Sequence, residues 1–269
     1  FWDSDYVNKN GFKSVVLGLS GGIDSAVCAS IAADAIGAEN VFGVSMPSRY
    51  SSEHSKSDAD DSAERIGLHL RTESIEAMVN TFESQLGLNG IAAENLQARM
   101  RGVILMGLSN AEGHLTLTTG NKTELAVGYS TIYGDSVGGF APIKDVEKTL
   151  VWKLAKWRNQ DAANKGQTPP IPESSISKPP SAELRPGQTD QDSLPSYEVL
   201  DGIVERYMEQ NQSIAQIIAA GFDSESVEKV TRLIKLNEYK RRQAPPGVRV
   251  TTRAFGRDWR YPITSQFRA

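Results

Sequence analysis

Ser20-Gly21-Gly22-Ile23-Asp24-Ser25 stands between an apolar run, Val15-Val16-Leu17-Gly18-Leu19, and a helix-prone run, Ala26-Val27-Cys28-Ala29-Ser30-Ile31-Ala32-Ala33. The first run reads as a buried parallel strand and the second as a helix. Two adjacent glycines let the turn backbone approach a ligand closely and adopt dihedrals closed to other residues. Amides of the turn and of the first helical turn then converge on one point, which makes an anion site. Ser20 and Ser25 add hydroxyls. Asp24 is the odd member, because a carboxylate repels phosphate unless a cation stands between them. That argues for magnesium, which takes one or two carboxylates together with phosphate oxygens. The stretch has neither the Gly-Lys-Ser/Thr ending of a Walker A loop nor a Gly-x-Gly-x-x-Gly fingerprint. A plain strand–helix turn capped by Ser20 or Asp24 is the alternative.

The totals restrict the classes open to the chain. Its 269 residues suffice for one large α/β domain or two small ones. A net charge of −4 argues against a general nucleic-acid or membrane surface. No apolar run is long enough to span a bilayer, and no secretory signal peptide is visible at Phe1-Trp2-Asp3-Ser4-Asp5. A single cysteine excludes an internal disulfide framework and fits a reducing cytoplasm. Cys28 falls in the helix after the loop and reads as a small core residue. His54, His69 and His114 are scattered, without zinc spacing, and read as structural or surface residues.

Further along, Asn40 to Met46 reads as a second buried strand closed by Pro47. Ser52 to Gly67 reads as a helix whose acids, Asp58, Asp60, Asp61 and Glu64, form a solvated face. Leu68 to Thr72 is a third strand, and Ser74 caps a helix to Leu86. A helix from Glu94 to about Ser109 carries Leu96, Met100 and Val103 as a core stripe. Its Asn95 and Arg99, four apart, share another face: an amide and a guanidinium suited to a carboxylate or phosphate, or an ordinary exposed face. Leu115 to Thr118 is a fourth strand. It runs into Thr119-Gly120-Asn121-Lys122-Thr123-Glu124, at the end of a strand where open α/β sheets bind ligands. Tyr129 to Phe140, rich in glycine and serine around Asp135, reads as a flexible loop near that site.

A helix follows from Glu147 to about Asn159. Residues 166–195 hold seven of the twelve prolines and read as irregular, either a lid or a linker. Three short helices are expected at 197–210, 213–220 and 224–237, before a basic tail from Lys240. Strands alternating with helices imply a doubly wound parallel α/β sheet, with a helical C-terminal third packed around it. We read residues 1–269 as one domain, with the proline-rich stretch, about 166–196, as an excursion within it.

Ser-Gly-Gly-x-Asp-Ser resembles the pyrophosphate loop of ATP pyrophosphatases, a group that includes GMP synthetase, asparagine synthetase, tRNA-thiolating enzymes and NAD synthetase. Four further segments decide among them: Asn95-Leu96-Gln97-Ala98-Arg99, Thr119-Gly120-Asn121-Lys122-Thr123-Glu124, Tyr133-Gly134-Asp135 and Lys240-Arg241-Arg242-Gln243-Ala244-Pro245-Pro246-Gly247. In this order they resemble NAD synthetase, from about Asp5 to Arg268. Gly128-Tyr129 and Phe255-Gly256-Arg257-Asp258-Trp259-Arg260-Tyr261-Pro262-Ile263-Thr264 are most similar to the synthetase part of glutamine-dependent members. Ammonia-dependent members carry Asp-His where this chain has Gly120-Asn121. They also carry a dinucleotide-contacting lysine where it has Ile132, so that role is not transferred.

The resemblance implies amidation of deamido-NAD to NAD through an acyl-adenylate, with AMP and pyrophosphate released. It implies that Gly18, Leu19, Ser20, Gly21, Gly22, Ile23, Asp24 and Ser25 hold ATP, with Thr119, Lys148 and Ser181. Asp24 and Glu124 would hold magnesium, and Asn95, Arg99, Glu124 and Lys240 deamido-NAD. Lys148 otherwise reads as an exposed helical lysine. Ser181 would give the proline-rich stretch its role, closing over ATP. Asp135 is a candidate to bind ammonium and take its proton, or a turn-forming residue beside Gly134. A homodimer or larger homo-oligomer is expected, and a parent chain with an N-terminal glutaminase domain, from which a start at Phe1 so near the first strand would be cut. The competing classes are another amide-forming or thiolating ATP pyrophosphatase, and a non-catalytic nucleotide-binding module. The missing cysteine pair weakens thiolation, and two magnesium carboxylates are superfluous in a mere binder.

Overall fold

The computed structural model describes residues 2–265. Phe1 and the end of the basic tail, including Arg268, lie outside the described residues. Val15, Val16 and Leu17 belong to the first strand, β1 (Val15–Gly18), and each is at most 1% exposed. Alternate side chains enter different clusters: Val15 and Leu17 pack on one face, Val16 on the other. A strand covered on both faces has this character. β2 (Val41–Ser45), β3 (His69–Thr72) and β4 (Leu115–Leu117) complete a sheet of order β3-β2-β1-β4, every pair parallel.

On the face of Val15 and Leu17 lie α1 (Trp2–Lys9), α2 (Ile23–Ile36), α3 (Glu53–Ile66) and α7 (Lys148–Asn164), which bury Cys28, Ala59, Val151 and Ala155. On the face of Val16 lie α4 (Glu76–Leu86) and α5 (Gly90–Glu112), which bury Val79, Leu96 and Met100. The sheet is thus doubly wound. Strand order reverses between β1 and β4, and open α/β sheets bind ligands in the crevice at such a reversal. α6 (Lys122–Val127) leaves the end of β4. It packs with α9 (Tyr197–Val204), α10 (Ile214–Ala219) and α11 (Ser224–Leu236) around Leu200, Met208 and Ile234.

Several expectations need correction. α5 begins four residues earlier than expected and presents Val103 to solvent, 58% exposed, because Leu96, Met100 and Leu105 make the buried stripe. The acids of α3 do not all lie on a solvated face: Asp58 is buried, and Ser174 Oγ donates to its Oδ1 at 2.5 Å. Ser174 belongs to α8 (Glu173–Ser177), a helical turn inside the proline-rich stretch, which also holds a 3-10 turn, Asp190–Asp192. The prolines flank these turns and leave their interiors free to hydrogen-bond. α12 (Glu238–Arg241) is also additional; its buried Arg241 donates to the carbonyls of Leu125 and Ala126 and so closes the C-terminal end of α6.

Candidate active site

β1 delivers the chain to the crevice, where the Leu19 amide still donates to Val44 O at 2.9 Å. Gly21 then adopts φ +79°, and a Cβ there would stand 2.3 Å from Ser55 O, so both conformation and space demand glycine. Serines hold the turn: Ser25 Oγ donates to Gly22 O at 2.9 Å and the Gly22 amide to Ser20 Oγ at 3.2 Å. Ser175 Oγ, from α8, donates to Gly21 O at 2.8 Å. The N-cap of α2 is Gly22, with no side-chain cap. Neither Ser20 nor Asp24 caps the helix, so Asp24 is left to face the crevice.

Opposite this turn, β4 delivers Thr118 to Asn121. Asn121 and Glu124 form a reciprocal capping box at the start of α6: the Glu124 amide donates to Asn121 Oδ1 at 2.9 Å and the Asn121 amide to Glu124 Oε2 at 3.3 Å. Asn121 Nδ2 also donates to Asp24 Oδ1 at 2.9 Å, which joins the two loops across the reversal point. The start of α7 is fixed to the same place, because the Lys148 amide donates to Thr123 Oγ1 at 2.9 Å. Lys148 is therefore buried, 2% exposed, with Nζ donating to Asp24 Oδ2 and standing 3.5 Å from Glu124 Oε1.

One ammonium thus faces two carboxylates. Burial works against the Lys148 charge, but Asp24 and Glu124 outweigh it and hold its pKa above the ordinary lysine value. Burial, and then Asp24 beside it, push Glu124 up to about 8 against the pull of Lys148. The pair has room for more positive charge. Two hard oxygen donors beside an amide-lined turn suit magnesium shared with phosphate oxygens and water, so the donor set fits that ion. Among the described residues no group of three or more His, Cys, Asp or Glu could hold a metal by itself.

The cavity in front of this pair measures about 320 Å³, within the range of small-molecule sites. Gly18, Leu19, Ser20, Gly22, Ile23, Asp24, Ser25, Thr119, Glu124, Asp135, Lys148 and Ser181 all line it. Gly21 does not; its carbonyl is turned to Ser175. Asn95, Arg99 and Lys240 do not line it either. They brace the loop that carries Asp135: Thr131 Oγ1 donates to Asn95 Oδ1 at 2.9 Å, Arg99 Nε to Ile132 O at 3.3 Å, and Lys240 Nζ to Gly128 O and Ser130 O at 2.7 Å each. α5 can approach this loop because Gly102 lacks a Cβ, which would stand 2.7 Å from Tyr133 O.

Asp135 accepts the Thr131 amide at 2.6 Å, and burial raises its pKa against that bond and Lys240. Arg101, Lys144, Lys178, Glu183 and Asp190 also line the cavity and were not foreseen. Burial pulls Arg101 down to about 10, against the fields of Asp135 and Glu183. The spacing Asn121-x-x-Glu124 was the one signal that could have singled out Asn121, as a helix cap.

A doubly wound parallel sheet with this turn and carboxylate pair at its reversal point is the ATP pyrophosphatase type of α/β fold. A family model for NAD synthase matches residues 2–244, and the chain belongs to that family. A glutamine-dependent NAD(+) synthetase of Acinetobacter baylyi is 55% identical over 270 residues, which is 98% of this chain and 49% of that relative. The glutamine-dependent NAD+ synthetase of Acinetobacter baumannii, solved with ADP, is 50% identical with a TM-score of 0.63, over 97% of this chain and 47% of that one. The NH3-dependent NAD synthetase of Campylobacter jejuni, solved with a nitrate ion, is 26% identical with a TM-score of 0.71, over 89% and 91%. The chain spans about half the length of the curated glutamine-dependent relatives it matches. No described helix is long and apolar enough to cross a membrane.

Proposed function

We propose that this chain, as one domain, is the ligase that amidates deamido-NAD to NAD with ATP and ammonia, in the cytoplasm. The observation that carries the reading is the Asp24–Lys148–Glu124 group beside the Ser20–Ser25 turn, joined across the sheet reversal by Asn121. In the first step an oxygen of the nicotinate carboxylate attacks the α-phosphorus of ATP. The bond to the bridging oxygen breaks and pyrophosphate leaves, giving an acyl-adenylate. Ammonia then attacks the carbonyl carbon, AMP leaves, and the nitrogen loses a proton. Activation is needed because a free carboxylate resists amines at neutral pH, whereas a mixed anhydride has a good leaving group.

The turn amides, Ser20, Ser25 and Thr119 hold the triphosphate, Ser181 meets it from the proline-rich side, and Lys148 balances its charge. Magnesium held by Asp24 and Glu124 would neutralise charge building on the leaving pyrophosphate. Asp135 binds ammonium and takes its proton, and burial, which raises its pKa above the ordinary carboxylate value, makes it a stronger base. The dinucleotide spans the braced loop, with Asn95, Arg99, Glu124 and Lys240 as its polar contacts. The decisive experiment incubates the chain with ATP, magnesium, ammonium and deamido-NAD and assays NAD. Pyrophosphate release without the acid, or none with it, defeats the reading.

Arg99 lies outside the cavity that holds the triphosphate, on the face it shares with Asn95. Arg99→Ala should therefore weaken deamido-NAD binding much more than ATP binding, by about tenfold or more for the loss of a charge-assisted contact. Calorimetric titration with each nucleotide tests this, and equal losses would remove Arg99 from the dinucleotide site.

We also propose a homodimer formed through α4 and α5. Phe82, Leu86, Ile91, Val103 and Met106 are all exposed there, at 37% or more, apolar side chains that a second copy would cover. Val103→Glu should lower the mass measured by light scattering to one chain. An unchanged dimer would put the interface elsewhere, and a monomeric parent chain would sink the proposal.

A further inference from the structure

The proline-rich stretch is fastened at both faces of the sheet. Glu183 reaches the N-terminus of α3. Ser52 donates to its carboxylate twice, from the amide at 3.2 Å and from Oγ at 2.9 Å. Ser55 Oγ donates at 2.8 Å and Lys178 Nζ at 2.8 Å. Lys178 also donates to Ser55 Oγ at 2.5 Å, so cation, serines and carboxylate form one closed set. The next residue is tied to the other face: Gln97 of α5, 2% exposed, donates Nε2 to Leu184 O at 3.1 Å. Glu183 itself adopts φ +49°, a left-handed conformation that a long side chain takes only when its surroundings impose it. Burial opposes the charge of Glu183, but the hydrogen bonds from Lys178, Ser55 and Ser52 outweigh it and hold its pKa below the usual glutamate value.

From this geometry we infer that Glu183 is a positioning residue: it latches the 178–192 segment across the cavity, from α3 to α5, and so keeps Ser181 at the cavity and water out of it. The inference rests on the reaction proposed above and adds the device that closes the site. Its chemical consequence is specific. An acyl-adenylate open to solvent is attacked at the carbonyl carbon by water oxygen in place of ammonia nitrogen. AMP leaves as before, the carboxylate is regenerated, and ATP is consumed without NAD. Coupling of AMP to NAD therefore reports the latch, whereas a merely structural contact would lower both products together.

The test uses the full chain with Glu183→Ala and, from the opposite partner of the same ion pair, Lys178→Met, which keeps the apolar stem. Hydrogen exchange of amides 181–192 is measured without nucleotide, and AMP and NAD are measured during turnover with ammonium. Each variant should exchange these amides about tenfold faster than the wild type and should form AMP in severalfold excess over NAD. Unchanged exchange in both variants, or equal AMP and NAD in both, overturns the latch. If the wild type forms no NAD, it is the proposed reaction that has failed, and the exchange measurement, which needs no turnover, still decides whether Glu183 fastens the segment.

Discussion

Asp24→Asn and Glu124→Gln should each lower kcat for NAD formation by at least about a hundredfold, about 2.7 kcal/mol of transition-state stabilisation. Each removes a carboxylate oxygen proposed to hold magnesium against the phosphates while keeping the shape of the side chain. Fold should survive. The Glu124 carboxyl, ordinarily near 4.5, is pushed up to about 8 in the fold. Across that window the folded chain keeps a proton that the unfolded chain has lost. Glu124 therefore costs stability as pH rises from the lower value through the upper one, and the glutamine variant lacks that cost. Its Tm at pH 8 should be no lower than that of the wild type. Thermal unfolding and a pyrophosphate assay on the same samples check both halves. Near-wild-type pyrophosphate release by either variant rules out the metal assignment.

Free ammonia should support NAD formation by this chain, and glutamine alone should not. Releasing ammonia from a glutamine side chain in amidotransferases needs an activated cysteine with a base or orienting partner. Cys28, the single cysteine, is fully buried in α2 among Ala26, Ala29 and Val27. Replacing it should disturb packing behind the phosphate turn and leave nitrogen-donor use as it was. Activity with ammonium should rise with pH as the free base increases, until groups of the site titrate. The glutamine-dependent relatives are about twice as long as this chain, so glutamine should give NAD once a glutaminase is added. Efficient glutamine-dependent synthesis by the purified chain, with contaminating glutaminase excluded, would overturn this account.

The sequence by itself determined the strands of the sheet and the turn at its edge, because those signals are local. Val15 to Leu19 and Asn40 to Met46 are short apolar runs bounded by glycine, asparagine and proline, and they became β1 and β2 within a residue or so. Gly21-Gly22 announced a turn closed to other residues. Lys148 is the opposite case. Alone it reads as an exposed lysine at a helix start. Only docking of its amide on Thr123 buries it between two carboxylates, one of them 124 positions away along the chain.

Asp58 stood in a run of acids that looked solvated, until α8, more than a hundred residues later, covered it with Ser174. The irregular composition of the proline-rich stretch was equally silent about its anchorage. Nothing in Glu183 or Gln97 marks them as fastenings, because their partners lie on opposite faces of the sheet. Periodicity and turn chemistry act between near neighbours in sequence. The charge on Lys148, the burial of Asp58 and the closure by Glu183 arise between segments that chain length keeps apart, and only the folded sheet brings them within hydrogen-bonding distance.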